Sequence, residues 1–300
     1  MSLTQLTGVA HAQQTSLSLN PPVVEILISP NKKVVQTFNL SYIGPNLLLI
    51  PEVHLIKPSG NNGHVNIEPK PLDPATIPLI ITSSKPLGEP IELTEDGGLP
   101  LTLTFEAPTT DKAIDLYLAL VLRVVTADDL QTSSSASPAI SSLILVSINP
   151  TGVAPIDLEI NNFDLPVIQD SWHSLVFTPT LTNNTPIMIR PEGKFEVISP
   201  SGKTISTISL YPNLILGNSS RNILGLVDQT SSALNWKPGW NHIGPHRFRL
   251  TITSQGGSKL AETEKTIWIL PLRLALITLI FISMIILNIY LLSRKKVTKM

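Results

Sequence analysis

Two histidines, His242 and His246, stand four residues apart in WNHIGPH. On a helix that spacing presents both rings to one metal ion, but Gly244 and Pro245 between them forbid a helix, and no third ligand stands nearby. The expectation is loop histidines and no metal. Glu92, Glu95 and Asp96 precede Gly97-Gly98. Oxygens clustered on a turn suit a hard cation such as calcium, yet the regular spacing of a calcium loop is missing. Asp128-Asp129 is a similar case. Asp111 and Asp115 fall in a β-type pattern and read as solvated charges. The chain has no GxSxG, P-loop, HExxH or glycine-rich dinucleotide fingerprint. It has no cysteine, which removes thiol chemistry, disulfides and cysteine-ligated metals. No catalytic residue and no cofactor is expected, and the chain reads as non-enzymatic. A membrane-tethered hydrolase of envelope glycans would need a paired acid and base, and no convincing pair is found.

The aromatic residues point to binding instead. Trp236 and Trp240 lie in NWKPGWN, and Trp172 lies in DSWHS. Exposed indoles stack on sugar rings or anchor protein partners. The alternative is structural: Trp236 or Trp240 plugs a core, and Trp172 caps a core or opens a strand. Asn39, Asn183 and Asn218 head N-x-S/T triplets, which matter only where glycosylation machinery is present.

One segment declares a setting. From Leu274 to Leu292 there is no charged residue. As a helix this run rises roughly 28 Å, close to the ~30 Å apolar thickness of a bilayer. Arg294, Lys295, Lys296 and Lys299 follow it, and Arg273 alone precedes it. The positive-inside rule places a short basic tail in the cytoplasm and the rest of the chain outside. Trp268 and Tyr290 fall near the two ends, where amphipathic rings favour the interface. The predicted arrangement is a single-pass protein with the lipid bilayer as its first partner.

Sixteen of the 21 basic residues and all 22 acidic residues precede position 273, leaving a mildly acidic exterior. That gives no footprint for nucleic acid, which needs clustered basic residues. Near the start, Ala10-His11-Ala12 before Gln13 looks like the small-residue cleavage site of a secretory signal. Residues 1–15 are therefore expected to be a signal remnant or a disordered N-terminus.

Between them lie short apolar, β-branched runs broken by Pro, Gly, Asn and Ser. KVVQTFNLSY places Val34, Phe38, Leu40 and Tyr42 on one face, and HRFRLTIT alternates Phe248, Leu250 and Ile252 with Arg247 and Arg249. Such alternation marks half-buried strands. The Pro-rich stretch from Pro69 to Pro90 is expected to follow a sheet edge, because proline cannot donate to a ladder. Asn149-Pro150-Thr151-Gly152 marks a boundary. The expected fold is all-β: a first immunoglobulin-like sandwich over 16–149, a linker over 150–155 and a second sandwich over 156–270. A transmembrane helix over 271–293 and a basic tail over 294–300 complete it.

The second half also carries a resemblance. Asn183-Asn184-Thr185, Ile189-Arg190-Pro191-Glu192-Gly193, Phe195-Glu196-Val197 and Ser201-Gly202-Lys203 come in that order. Leu214-Ile215-Leu216-Gly217, Ser220-Arg221, Trp236, Gly244 and His246-Arg247-Phe248 follow, then Thr266-Ile267-Trp268-Ile269-Leu270-Pro271 and the apolar run. This order resembles the WxL-interacting proteins of Gram-positive surfaces, which have two immunoglobulin-like domains and a C-terminal anchor. The resemblance implies a first domain that binds peptidoglycan and a second that binds host proteins. Two readings follow. One is a surface protein binding a wall polymer or another surface protein. The other is an accessory subunit of a secretion, pilus or transport assembly, pairing through a free sheet edge.

Overall fold

The computed structural model describes residues 15–125, 138–150, 156–239 and 241–297, with backbone alone from 290 onward. The signal-like start, Asp128-Asp129, most of the linker, Trp240 and Lys299 lie outside the described residues. So do the side chains of Tyr290, Leu292, Arg294, Lys295 and Lys296. The chain divides into two compact units, Met1–Ser59 with His64–Pro155, and Ile156–Met300 with Gly60–Gly63. Both are built of strands, and each is an immunoglobulin-like sandwich; one long apolar helix follows the second.

The first unit contains β1 (Ser16–Asn20), β2 (Val23–Ile28), β3 (Lys33–Ile43), β4 (Leu47–Ser59), β5 (His64–Pro71), β6 (Ile80–Ser83), β7 (Ile91–Leu93), β8 (Gly98–Glu106), β9 (Ile114–Val125) and β10 (Ala139–Ile148). One sheet runs β1-β3-β8-β6, and the other β2-β10-β9-β4-β5 with β7 also on β4. Pro21 and Pro22 sit where the chain leaves β1 in one sheet for β2 in the other. Neither has an N–H to donate, so both ladders can stop there. Apolar residues of the two sheets meet between them: Phe38, Leu101, Leu103 and Phe105 from one, Leu118, Leu120, Ile144 and Ile148 from the other, all essentially buried. The Pro-rich stretch supplies the end of β5 and all of β6, which are edge strands.

The second unit contains β11 (Leu158–Asn161), β12 (Ile168–Asp170), β13 (Leu175–Phe177), β14 (Thr180–Asn183), β15 (Glu192–Ile198), β16 (Thr204–Ser209), β17 (Ser219–Asn222), β18 (Gly225–Val227), β19 (Thr230–Ser232), β20 (Leu234–Trp236), β21 (Gly244–Thr253) and β22 (Lys259–Leu270). Its largest sheet runs β12-β22-β21-β15-β16. Pro179, which has no N–H to donate, separates β13 from β14. On the outer face of β21 and β22, Arg247 and Arg249 pair with Glu262 and Glu264.

Only Pro271 separates β22 from α1 (Leu272–Val297). The Pro271 carbonyl accepts the first helical bond, from Ala275 N at 2.9 Å. The helix is long and apolar enough to cross a membrane, and every described side chain from Leu272 to Ile289 is exposed. A core helix of a soluble domain would be covered by its own fold. Two of the polar residues inside the apolar run satisfy themselves: Thr278 donates to the Leu274 carbonyl and Ser283 to the Leu279 carbonyl, both at 2.8 Å. Such back-bonding lets a hydroxyl reside in surroundings without water.

Candidate functional site

The tryptophans of the sequence separate by environment. Trp236, at the end of β20, is only 6% exposed and belongs to the second core. It closes a column of rings: Phe163 on Phe177 at 5.8 Å, Phe177 on Phe195 at 5.1 Å, Phe195 on Phe248 at 5.9 Å, and Phe248 edge-on to Trp236 at 5.3 Å. A ring so enclosed cannot stack on a sugar or enter a partner's pocket. Trp172 is the opposite case. It stands 48% exposed just beyond β12.

His242 and His246 extend the same column. His242 stacks on Trp236 at 5.8 Å, and its Nδ1 accepts the Gly239 N–H at 2.8 Å. The buried His246 ring contacts both Trp236 and His242, with Nδ1 3.0 Å from the Gly244 carbonyl. Among the described residues no three His, Asp or Glu side chains gather as a metal site would require.

Burial holds the His246 pKa below its ordinary value, against the opposing bond to Gly244 and with help from nearby His242. The folded state thus takes up its proton at lower pH than the unfolded chain, whose histidine titrates near 6.5. Stability contributed by the neutral ring is complete above about pH 6.5 and is lost as pH falls from there toward the lowered value. The unfolding temperature of the second sandwich is expected to drop across that window, and His246→Phe to flatten the drop. An unchanged slope in the variant would show that the ring does not carry it.

The acidic turn is structural. Asp96 Oδ1 accepts the Gly44 N–H at 3.0 Å, and Asn46 joins Glu92 to the Glu95 backbone. Asn183 is likewise consumed. Its amide donates to the Ile187 and Leu216 carbonyls, its oxygen accepts from the Thr185 N–H and hydroxyl, and it is fully buried. In the folded state it is closed to a glycan, whereas Asn39 and Asn218 are exposed.

Three features were not read from the sequence. The first is an ionic cluster in the first unit. Glu52 takes Arg123 Nη2 and His54 Nε2, each at 3.2 Å, while His54 Nδ1 faces the Glu68 carbonyl at 2.7 Å. Glu52 and His54 share a face because they are two apart on β4, and β9 brings Arg123 across; only the first relation is visible in a linear pattern. Glu52 also borders a cavity of about 230 Å³ lined by Val53, Leu72, Ile77, Leu79 and Ile81. That is below the roughly 300–1,000 Å³ usual for ligand pockets and has room for one bulky apolar side chain.

The second is an open sheet edge. β2 pairs with β10 on one side, in parallel register, and with no strand on the other among the described residues. The Pro22 and Ile28 carbonyls accept from Leu143 and Asn149, so by alternation Val23 and Leu27 turn their backbone groups away from β10. Leu27 is 74% exposed and Val23 about half. The opposite edge, β5, carries Pro69 and Pro71 with Lys70 between them, the means by which edges are closed to pairing. β2 has neither proline nor lysine, and its one charged residue is Glu25.

The third feature lies where α1 begins. Asp170 Oδ2 meets His173 Nδ1 at 3.1 Å and Arg273 Nε at 3.4 Å, and Arg273 Nη2 donates to His173 Nε2 at 2.6 Å. The tautomer with Nδ1–H satisfies both histidine contacts. These residues are about a hundred positions apart, and the β12–β22 pairing joins them.

No protein-family model and no curated protein matches the chain. Among solved structures it is similar to the class 5 fimbriae chaperone CfaA, at 12% identity over 85% of this chain and 100% of that one, with a TM-score of 0.43. It is also similar to the Escherichia coli chaperone DraB, at 13% identity over 83% of this chain and 97% of that one, with a TM-score of 0.34. Fibronectin(III)-like modules of Clostridium thermocellum CbhA align at 11% identity over 85% of this chain and 94% of that one, with a TM-score of 0.24. At such TM-scores these likenesses carry no argument about what this chain binds.

Proposed function

We propose that the chain is a non-enzymatic, single-pass membrane protein that holds two sandwiches outside the cell as a binding module. Its partner is a protein, engaged when an extended segment adds to the open edge of β2. The observation that carries the anchoring is α1, an apolar helix whose described side chains from Leu272 to Ile289 are all exposed. The basic cluster of Arg294, Lys295, Lys296 and Lys299 supports a cytoplasmic C-terminus. The choice of edge pairing over sugar stacking rests on the burial of Trp236 and the exposure of Leu27. An edge without proline or lysine, with Val23 and Leu27 exposed on either side of Glu25, offers main-chain bonds for affinity and alternate side chains for specificity. Such a role suits an adaptor or an assembly subunit. Peptidoglycan is the competing ligand.

The test offers full-length protein in vesicles to purified sacculi and, separately, to detergent-solubilised envelope proteins of the same cell. Leu27→Pro removes one outward N–H and spares the bonds to β10. It is expected to weaken capture of a protein partner at least about tenfold, or ~1.4 kcal/mol. The unfolding temperature of the first sandwich should stay nearly unchanged. Binding to sacculi that is insensitive to Leu27→Pro would replace edge pairing with wall binding.

A further inference from the structure

Several large apolar side chains of the second unit are exposed at one end. Ile168 lies directly across from Trp268 in the β12–β22 pair, and the Val167 carbonyl accepts the Trp268 N–H at 2.9 Å. Val167, Ile168 and Trp172 are each about half exposed or more, and Trp268 is 50% exposed. β12 runs parallel to β22 as far as the pair Asp170–Leu270, and beyond it the two segments part: the β12 side turns at once, the His173 N–H donating to the Asp170 carbonyl at 3.1 Å. One continues as Ser171-Trp172, the other as Pro271 and α1. Trp172 sits in that turn, next to His173, whose Nε2 accepts from Arg273 in the first turn of the helix. Trp268 lies two residues before Leu270, roughly 7 Å further back at a strand rise of about 3.3 Å. The polar zone on each side of a bilayer is about 5–8 Å deep, the difference between its full and its apolar thickness shared between two sides.

The helix is also held at a fixed place against this end. Asp170 is largely buried, and its Oδ1 has no partner among the described residues. Its charge is met entirely through Oδ2, by His173 and Arg273. With a single proline between β22 and α1, these contacts bind the first turn of the helix to the sandwich.

We propose that this end of the second sandwich is a lipid-contacting face. Val167, Ile168, Trp172 and Trp268 rest among the headgroups of the bilayer that α1 crosses. The Asp170–His173–Arg273 cluster sets the angle at which the sandwich meets that surface. The proposal rests on the anchoring reading above and adds to it a second, peripheral contact. Indole rings with an apolar body and an N–H donor are the side chains favoured at this depth. Continuity with the apolar helix selects lipid as the occupant, because whatever covers α1 reaches its first turn.

The chain has no cysteine, so single labels are simple to place. Full-length protein carrying an environment-sensitive fluorophore at Val167→Cys, Ile168→Cys or Trp172→Cys is incorporated into phosphatidylcholine vesicles. Brominated lipid and aqueous iodide serve as quenchers. Ser258→Cys, in the turn before β22, is the reference; the twelve residues of β22 set it roughly 35 Å from the helix. The three test positions cover for one another if a variant fails to show the parent's unfolding transition. The expected result is strong quenching by brominated lipid and protection from iodide at all folded test positions, with the reverse at Ser258→Cys. Test positions that float with vesicles yet respond only to iodide would overturn the lipid face and leave the anchor standing. Protection from both quenchers would assign the face to a protein. Failure of the labelled chain to float with vesicles would remove the anchor and this proposal together.

Discussion

Phe248→Ala is expected to remove about 3–5 kcal/mol from the second sandwich, the usual cost of truncating an enclosed aromatic ring. Phe248 is fully buried and touches Phe195 on one side and Trp236 on the other. Its loss opens a cavity midway along the ring column that runs from Phe163 to His246. A domain of this size has about 5–15 kcal/mol to lose, so the second sandwich should unfold well below the parent's temperature. The first sandwich has its own core around Phe38 and Phe105 and should keep its transition. Thermal unfolding of the full chain in detergent micelles, followed by calorimetry, reads both. Trp172→Ala is the matched control, expected to stay within about 0.5 kcal/mol as an exposed residue. Equal effects of the two substitutions would contradict the separation of buried from exposed aromatics.

The second large effect concerns α1. Ile280 and Ser283 lie near the middle of the apolar run. An arginine at a helix centre costs roughly 2.5–3.5 kcal/mol on insertion scales, so Ile280→Arg with Ser283→Arg should cost about 5–7 kcal/mol. The double variant is expected to move from the carbonate-resistant membrane fraction to the soluble one. Because the helix packs on neither core, the unfolding temperatures of both sandwiches should be unchanged. A loss of sandwich stability instead would mean that α1 is covered by protein.

How much of this was legible in the sequence follows from the range of the interactions. The alternation in KVVQTFNLSY and HRFRLTIT marks β3 and β21, because one buried face imposes a period of two. The uncharged run to Leu292 marks α1, because a bilayer fixes a length. Proline at 179 marks a strand break through a missing donor. The candidate sites were less legible. Trp236 and Trp172 look alike as local sequence, and only the packing of Phe248 against one of them separates their fates. WNHIGPH shows two histidines but not that they continue a ring stack. Glu52–His54–Arg123 and Asp170–His173–Arg273 each join a local pair to a residue 71 or 100 positions away, and strand order decides those meetings. The open edge of β2 was invisible for the same reason: VVEILIS reads as a strand, but not as the last one in its sheet.

The central claim is that α1 anchors two sandwiches on the outer side of a membrane. Impermeant maleimide applied to intact cells tests it most directly, using Ser258→Cys in one chain and Thr298→Cys in another. The account predicts labelling at position 258 in intact cells and at 298 only after permeabilisation. Labelling at 298 in intact cells with 258 protected, or protection of both with the protein in the soluble fraction, would contradict it.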